Sequence, residues 1–233
     1  MKIPGNLYDT FVKTLQYLRA SSYQYNNRQV QGIDIGYRYQ GGERTKEIAV
    51  RLHFIGEIYY VAHSLTFGPI LSTSVIRRPY SPMHASFISP VDPRRVKPQP
   101  VIQPGLSTGR IECGTLGMIC KDNQTGMACI LSCFHVLRVA PGDRIPQPSS
   151  IYDKGYVDIH TIALYYKGVL DNKSDAAIAR LISARPVNPA QYGTSDIVKQ
   201  AALPVLGMRV KKSGRTTAVT EGIIDGTGIY LMN

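Results

Sequence analysis

Apolar residues recur every three to four positions at the start of the chain and every second position soon after. Leu7, Phe11, Leu15 and Leu18 share one face at helical spacing, which predicts a helix over 6–19. Asn6 can cap its first turn, with Asp9 three residues later. Two strands are expected at 29–39 and 47–54, around a turn at 40–43. Ile33, Ile35 and Tyr37 alternate with Asp34, Gly36 and Arg38, and Ile48, Val50 and Leu52 alternate with Ala49, Arg51 and His53. That alternation predicts one buried and one wet face. A short strand at 58–62 completes a small α+β unit over 1–76.

The pattern changes at 77–105. Seven of the chain's 15 prolines fall there, at 79, 82, 90, 93, 98, 100 and 104. Proline at that density cannot sustain ladder hydrogen bonds, so a linker is expected, solvated and carrying Arg77, Arg78, Arg94, Arg95 and Lys97. The stretch GTLGMICKDNQTGMACILSCFHVL, residues 114–137, then reads as a β-hairpin ending in a histidine. Asp122, Asn123 and Gly126 supply its turn chemistry. Neither strand alternates cleanly, which predicts burial on both faces, as in a small closed barrel. His135 falls just past the second strand. Residues 140–148 read as a loop and 155–166 as a strand. Asp175 stands directly ahead of a small, apolar strand at 176–181. Segments 207–214 and 217–226 read as the opening of a second β unit.

Charge widens the choice of partners. The chain of 233 residues has a net charge of +11, which attracts nucleic acid, anionic membranes or acidic peptides. Tyr17, Tyr23, Tyr25, Tyr37 and Tyr39 near arginines could stack on bases, but scattered tyrosines more often bury a ring and wet a hydroxyl. No apolar run approaches the ~20 residues of a membrane span. The N-terminus has no signal-peptide core, so the cytoplasm is the expected compartment and no membrane partner is expected. Cys113, Cys120, Cys129 and Cys133 all lie on or beside the hairpin. Reduced, buried thiols are the expectation, and zinc with His135 as an added ligand is the sharper alternative. Their spacing lacks the C-x-x-C knuckle, so no cofactor is assigned.

Three segments together resemble bacterial trypsin-like serine peptidases of the chymotrypsin fold. They are the GTLG strand leading to Leu131-Ser132-Cys133-Phe134-His135-Val136-Leu137, the Asp175-Ala176-Ala177-Ile178-Ala179 strand start, and Lys212-Ser213-Gly214-Arg215-Thr216-Thr217. The stretch 31–54 looks like the leader that often precedes such domains. The resemblance implies a mainly β chain. A chymotrypsin-like double β-barrel with its second barrel incomplete would follow the small α+β unit, with the peptidase domain spanning 106–233. It implies His135 as general base and Asp175 as the buried carboxylate that orients it, in peptide-bond hydrolysis by a Ser-His-Asp triad.

The chain departs from that pattern in its nucleophile. No Gly-Asp-Ser-Gly-like loop follows Gly214, and residue 233 comes 19 residues after it. Ser213 matches the strand opening and not the nucleophile loop. The run GMRVKKS, 207–213, is not a phosphate loop, because Lys211 stands where glycine is required. Three readings follow. One is the N-terminal portion of a serine endopeptidase acting on protein or peptide, inert alone and completed by a C-terminal fragment or partner chain. The second is a dead pseudopeptidase that binds peptides or regulates. The third is a basic nucleic-acid-binding protein, the least expected. An incomplete barrel leaves open strand edges, so the chain is expected to fray after about residue 205.

Overall fold

The computed structural model describes residues 3–25, 27–40, 43–54, 57–61, 71–76, 91–171 and 173–231. The chain is mainly β and falls into two compact units. Unit 1 gathers the described residues of Met1–Phe87 with Ala202–Val210 and Gly222–Asn233. Unit 2 comprises Ile88–Ala201 and Lys211–Glu221. Residues 202–210 and 222–231 thus group with the N-terminal part, whereas the resemblance implied a peptidase domain spanning 106–233.

In unit 1, helix α1 (Gly5–Ala20) buries Leu7, Leu18, Thr10 and Thr14. Both threonine hydroxyls donate back to the carbonyl four residues earlier, which lets them sit on the buried face. The helix begins one residue before the expected cap. Pro4 takes the N-cap position, and the Asn6 carbonyl accepts the Thr10 hydroxyl from within the first turn. Short strands β1 (Gln24–Tyr25) and β2 (Arg28–Gln29) pair with each other. Strands β3 (Gly32–Gln40), β4 (Glu43–Phe54), β5 (Glu57–Val61) and β6 (Leu71–Ile76) form an antiparallel run. Ile33 opposes Leu52 and Ile35 opposes Val50, and all four pack in one core with Leu7 and Leu18.

Much of the face of β3 and β4 expected to be wet is buried instead, with Arg38 and His53 half-buried. Asp34 and Arg51 are 4% and 3% exposed. Arg51 Nη2 and Nε donate to the two Asp34 oxygens at 2.6 and 2.7 Å, and its Nη1 donates to Asp225 Oδ2 at 2.8 Å. Mutual neutralisation lets these charges leave water. The tyrosines are spent internally. Tyr39 donates its hydroxyl to Asp225 at 2.7 Å, Tyr17 meets Tyr25 edge-on at 6.4 Å, and Arg44 lies over Tyr37 at 4.6 Å.

Of the proline-rich stretch, 77–90 lies outside the described residues. The part from 91 onward is not a solvated tether. Arg95 is 2% exposed and donates to the Gly105 and Tyr192 carbonyls and to Ser213 Oγ, while Ile102 enters the core. Unit 2 continues with β7 (Ser107–Thr108) and β8 (Gly114–Thr115), which pair, and then β9 (Met118–Lys121) and β10 (Ala128–Ser132). The single strand expected over 114–121 changes partner at Leu116–Gly117. Leu116 N–H donates to Leu106, and Gly117 N–H donates to Leu131. After helical turn α2 (Phe134–Leu137) come β11 (Arg144–Pro146), turn α3 (Val157–His160), β12 (Thr161–Leu170) and β13 (Asp175–Leu181). Residues 157–160 were expected in a strand. They coil into a turn closed by the Ile159 and His160 N–H groups on the Tyr156 carbonyl and by the Tyr156 N–H on the His160 ring, and Ile159 is exposed.

The five strands lie in the order β11-β12-β13-β10-β9, all antiparallel. Among the described residues this sheet is open, with β9 and β11 as edges, and is not the closed barrel that the patterning suggested. Its hairpin is accordingly half-buried; only Cys129 and Ile130 of β10 are fully covered. Strands β14 (Arg209–Gly214) and β15 (Ala218–Ile223) form a separate two-stranded ribbon where the second β unit was expected. The final strand, β16 (Gly226–Leu231), does not extend that ribbon. It pairs antiparallel with β3 of unit 1, so residues beyond 205, expected to fray, include an ordered strand.

Candidate active site

The β10–β13 ladder decides the site. Ser132 pairs with Ala177 and Leu131 with Ile178. The end of β10 and the start of β13 are therefore neighbours, although 40 residues of chain separate His135 from Asp175. After Ser132 the chain turns into α2, and Asp175 is the first residue of β13. Close glycine contacts seat that turn. A Cβ on Gly114 would lie 2.4 Å from Val136 Cγ2, and one on Gly168 would lie 2.7 Å from both Ala177 Cβ and Phe134 Cδ2. The glycine that opens the GTLG motif is thus the one that admits Val136.

The two predicted site residues meet. His135 Nδ1 lies 2.5 Å from Asp175 Oδ2, and the His135 backbone N–H donates to Asp175 Oδ1 at 3.2 Å. One carboxylate holds both the ring and its own backbone, which fixes the ring's direction. Desolvation pushes the Asp175 carboxyl up, but the bonds and charge of His135 and the Phe134 N–H hold it, on balance, below its ordinary value. The carboxylate is not buried as expected: its side chain is 36% exposed and the ring 51%. Nδ1 faces Asp175, and Nε2 is the ring nitrogen turned away from it.

A cleft of about 530 Å³ borders Asp175, lined by Thr115, Leu131, Cys133, Lys212 and Thr216 among others. Among the described residues no hydroxyl is hydrogen-bonded to the His135 ring. Ser213 is occupied, donating to the Tyr192 carbonyl and accepting from Arg95 at 2.7 Å. Ser107 stands in a Gly-Leu-Ser-Thr-Gly run but is fully buried, accepts the Ser149 N–H and donates to Asp153 at 2.5 Å. Both hydroxyls are thus engaged in structural bonds.

Of the four cysteines weighed for zinc with His135, Cys133 is the one beside the pair. It is exposed, and the ligand atoms of Cys133, His135 and Asp175 lie within 4.8 Å of one another. Desolvation and the Asp175 charge push its thiol up, so it is protonated at neutral pH and is a poor nucleophile. The other three cysteines are free and do not join it; Cys120 and Cys129 oppose each other across the hairpin.

No protein-family model matches the chain, and no curated protein matches it. Eight chains of solved structures do. Among them is a glutamic-acid-specific serine protease, described as using a novel histidine triad in substrate binding. It is 18% identical, with a TM-score of 0.38, over 52% of this chain and 60% of that one. The match thus spans less than two thirds of that protease. Among the described residues no helix is long and apolar enough to cross a membrane.

Proposed function

We propose that unit 2 is the dyad-bearing part of a trypsin-like serine endopeptidase of the chymotrypsin fold. The 2.5 Å contact between His135 Nδ1 and Asp175 Oδ2 carries this reading. His135 Nε2 takes the proton of an attacking hydroxyl and returns it to the leaving amine. Asp175 keeps the proton on Nδ1 and stabilises the imidazolium that forms. Ser107 and Ser213 are tied up in structural bonds; on this reading a C-terminal fragment or partner chain would bring the hydroxyl, cover the exposed dyad and supply the oxyanion donors. Peptide enters along the cleft beside Asp175.

A serine-directed fluorophosphonate tests this on the natural polypeptide that contains these residues. The wild type should label. His135→Ala should slow labelling by at least about a thousandfold. Equal labelling of the two would refute the base assignment. A second reading, a peptide-binding pseudopeptidase, is favoured by the absence of any described hydroxyl bonded to the ring. It predicts no labelling of that polypeptide and peptide binding that survives His135→Ala.

A further inference from the structure

Cys133 has no part in the acid–base chemistry, yet it is held against it. Three different donors, a thiol sulfur, an imidazole nitrogen and a carboxylate oxygen, come within 4.8 Å of one another at the end of β10, in α2 and at the start of β13. All three side chains are exposed, so an ion reaches them without opening the core. The β10–β13 register and the bond from the His135 N–H to Asp175 hold the two backbone segments in place before any ligand arrives. The donor set discriminates among ions. Sulfur with imidazole disfavours magnesium and calcium, which take oxygen, and suits zinc, which accepts S, N and O in a tetrahedron. Three protein donors leave a fourth position for water, as in open zinc sites.

We propose that Cys133, His135 and Asp175 form a zinc site whose occupation switches the dyad off. Zinc displaces the Cys133 thiol proton to solvent, binding the thiolate, and takes one ring nitrogen of His135. If it takes Nε2, it removes the lone pair that receives the proton. If it takes Nδ1, it replaces the proton shared with Asp175. Either way the ring ceases to be a base, and zinc acts as a reversible inhibitor that leaves with a chelator. Binding stands independently of the peptidase reading; only the inhibitory consequence rests on it.

The test uses the whole chain with cobalt as a spectroscopic stand-in and zinc as the competing ion. One cobalt should bind per chain, with a thiolate-to-metal charge-transfer band that one equivalent of zinc abolishes. Zinc should also move the His135 ring resonances in a 1:1 titration. Cys133→Ser should eliminate the band and weaken zinc binding at least tenfold, whereas Cys120→Ser should leave both unchanged. An unchanged thermal midpoint for Cys133→Ser would exclude misfolding as the cause, and His135→Gln should weaken zinc to a similar extent if the serine variant misfolds. Unaltered zinc affinity in both variants would overturn the site, as would a band lost in Cys120→Ser, or His135 resonances indifferent to zinc. In the fluorophosphonate-reactive polypeptide, zinc should block labelling of wild type, and Cys133→Ser should need at least ten times more. A polypeptide that binds zinc but never labels would sink the peptidase reading and keep the site. One that labels but ignores zinc would sink the site alone.

Discussion

Asp122 shows how one side chain ties the central hairpin to its neighbour. The Lys167 ammonium, 2.6 Å from Oδ1, and then the Thr125 hydroxyl and N–H at Oδ2 draw its carboxyl down to about 2. The group is more acidic folded than unfolded, so the stability linked to it is complete above about pH 4, the ordinary carboxylate range, and is lost as pH falls through the folded value. Asp122→Asn should therefore melt below wild type at neutral pH, and the gap should close between about pH 4 and about pH 2. Thermal melts of both proteins across that range check it; a gap independent of pH would show that the charge contributes nothing. Asp175 is shifted in the same direction, so the same sign holds: its pairing with His135 weakens on acidification below the carboxylate range. Both aspartates were visible in the sequence, one as a turn residue and one as a strand opener. Their partners were less so. Lys167 lies 45 residues from Asp122, and nothing local marks the pairing.

At the scale of elements, α2 is four residues long and cannot hold itself. Its position comes from packing: Val136 against Gly114, and Phe134 against Gly168 and the covered sheet. Gly114→Ala should push a methyl into Val136, cost about 1–3 kcal/mol by overpacking, and lengthen the His135–Asp175 contact. The downfield Nδ1–H resonance of His135 should weaken, and Val136→Ala in the same chain should restore it. A resonance untouched by Gly114→Ala would show that the turn is positioned otherwise. The element types were legible because hydrophobic pattern is a local property: α1, β3 and β4 follow their period, and β10 and β13 are short apolar runs. The turn over 157–160 was not, because no apolar period marks the bonds that close it, from the Ile159 and His160 N–H groups to the Tyr156 carbonyl and from the Tyr156 N–H to the His160 ring. Closure of the sheet was not legible either, since apolar strands of this kind fit an open sheet as well as a barrel.

Across the whole molecule, unit 1 is built from both ends of the chain. Strand β16 supplies the edge beside β3, and Asp225, 174 residues from Arg51, completes the neutralisation of the buried guanidinium. Arg51→Ala leaves Asp34 buried without its cation and should cost about 3–5 kcal/mol. Truncation after residue 224 should also lower the unfolding midpoint and promote association through the exposed edge of β3. Chemical denaturation and concentration-dependent light scattering check the two; a truncated chain as stable and as monodisperse as the full one would show that β16 is dispensable. By itself the sequence determined the apolar periodicity and the hairpin turn, because each depends on residues a few positions apart, whereas His135 and Asp175, 40 residues apart, were named together only through the motif resemblance. Only the tertiary structure decided that β16 joins β3, that Arg51 and Asp34 are interior, and that Asp175 comes to the corner held by Cys133 and His135. Those outcomes turn on strand pairing and charge burial between distant segments, which no local pattern encodes.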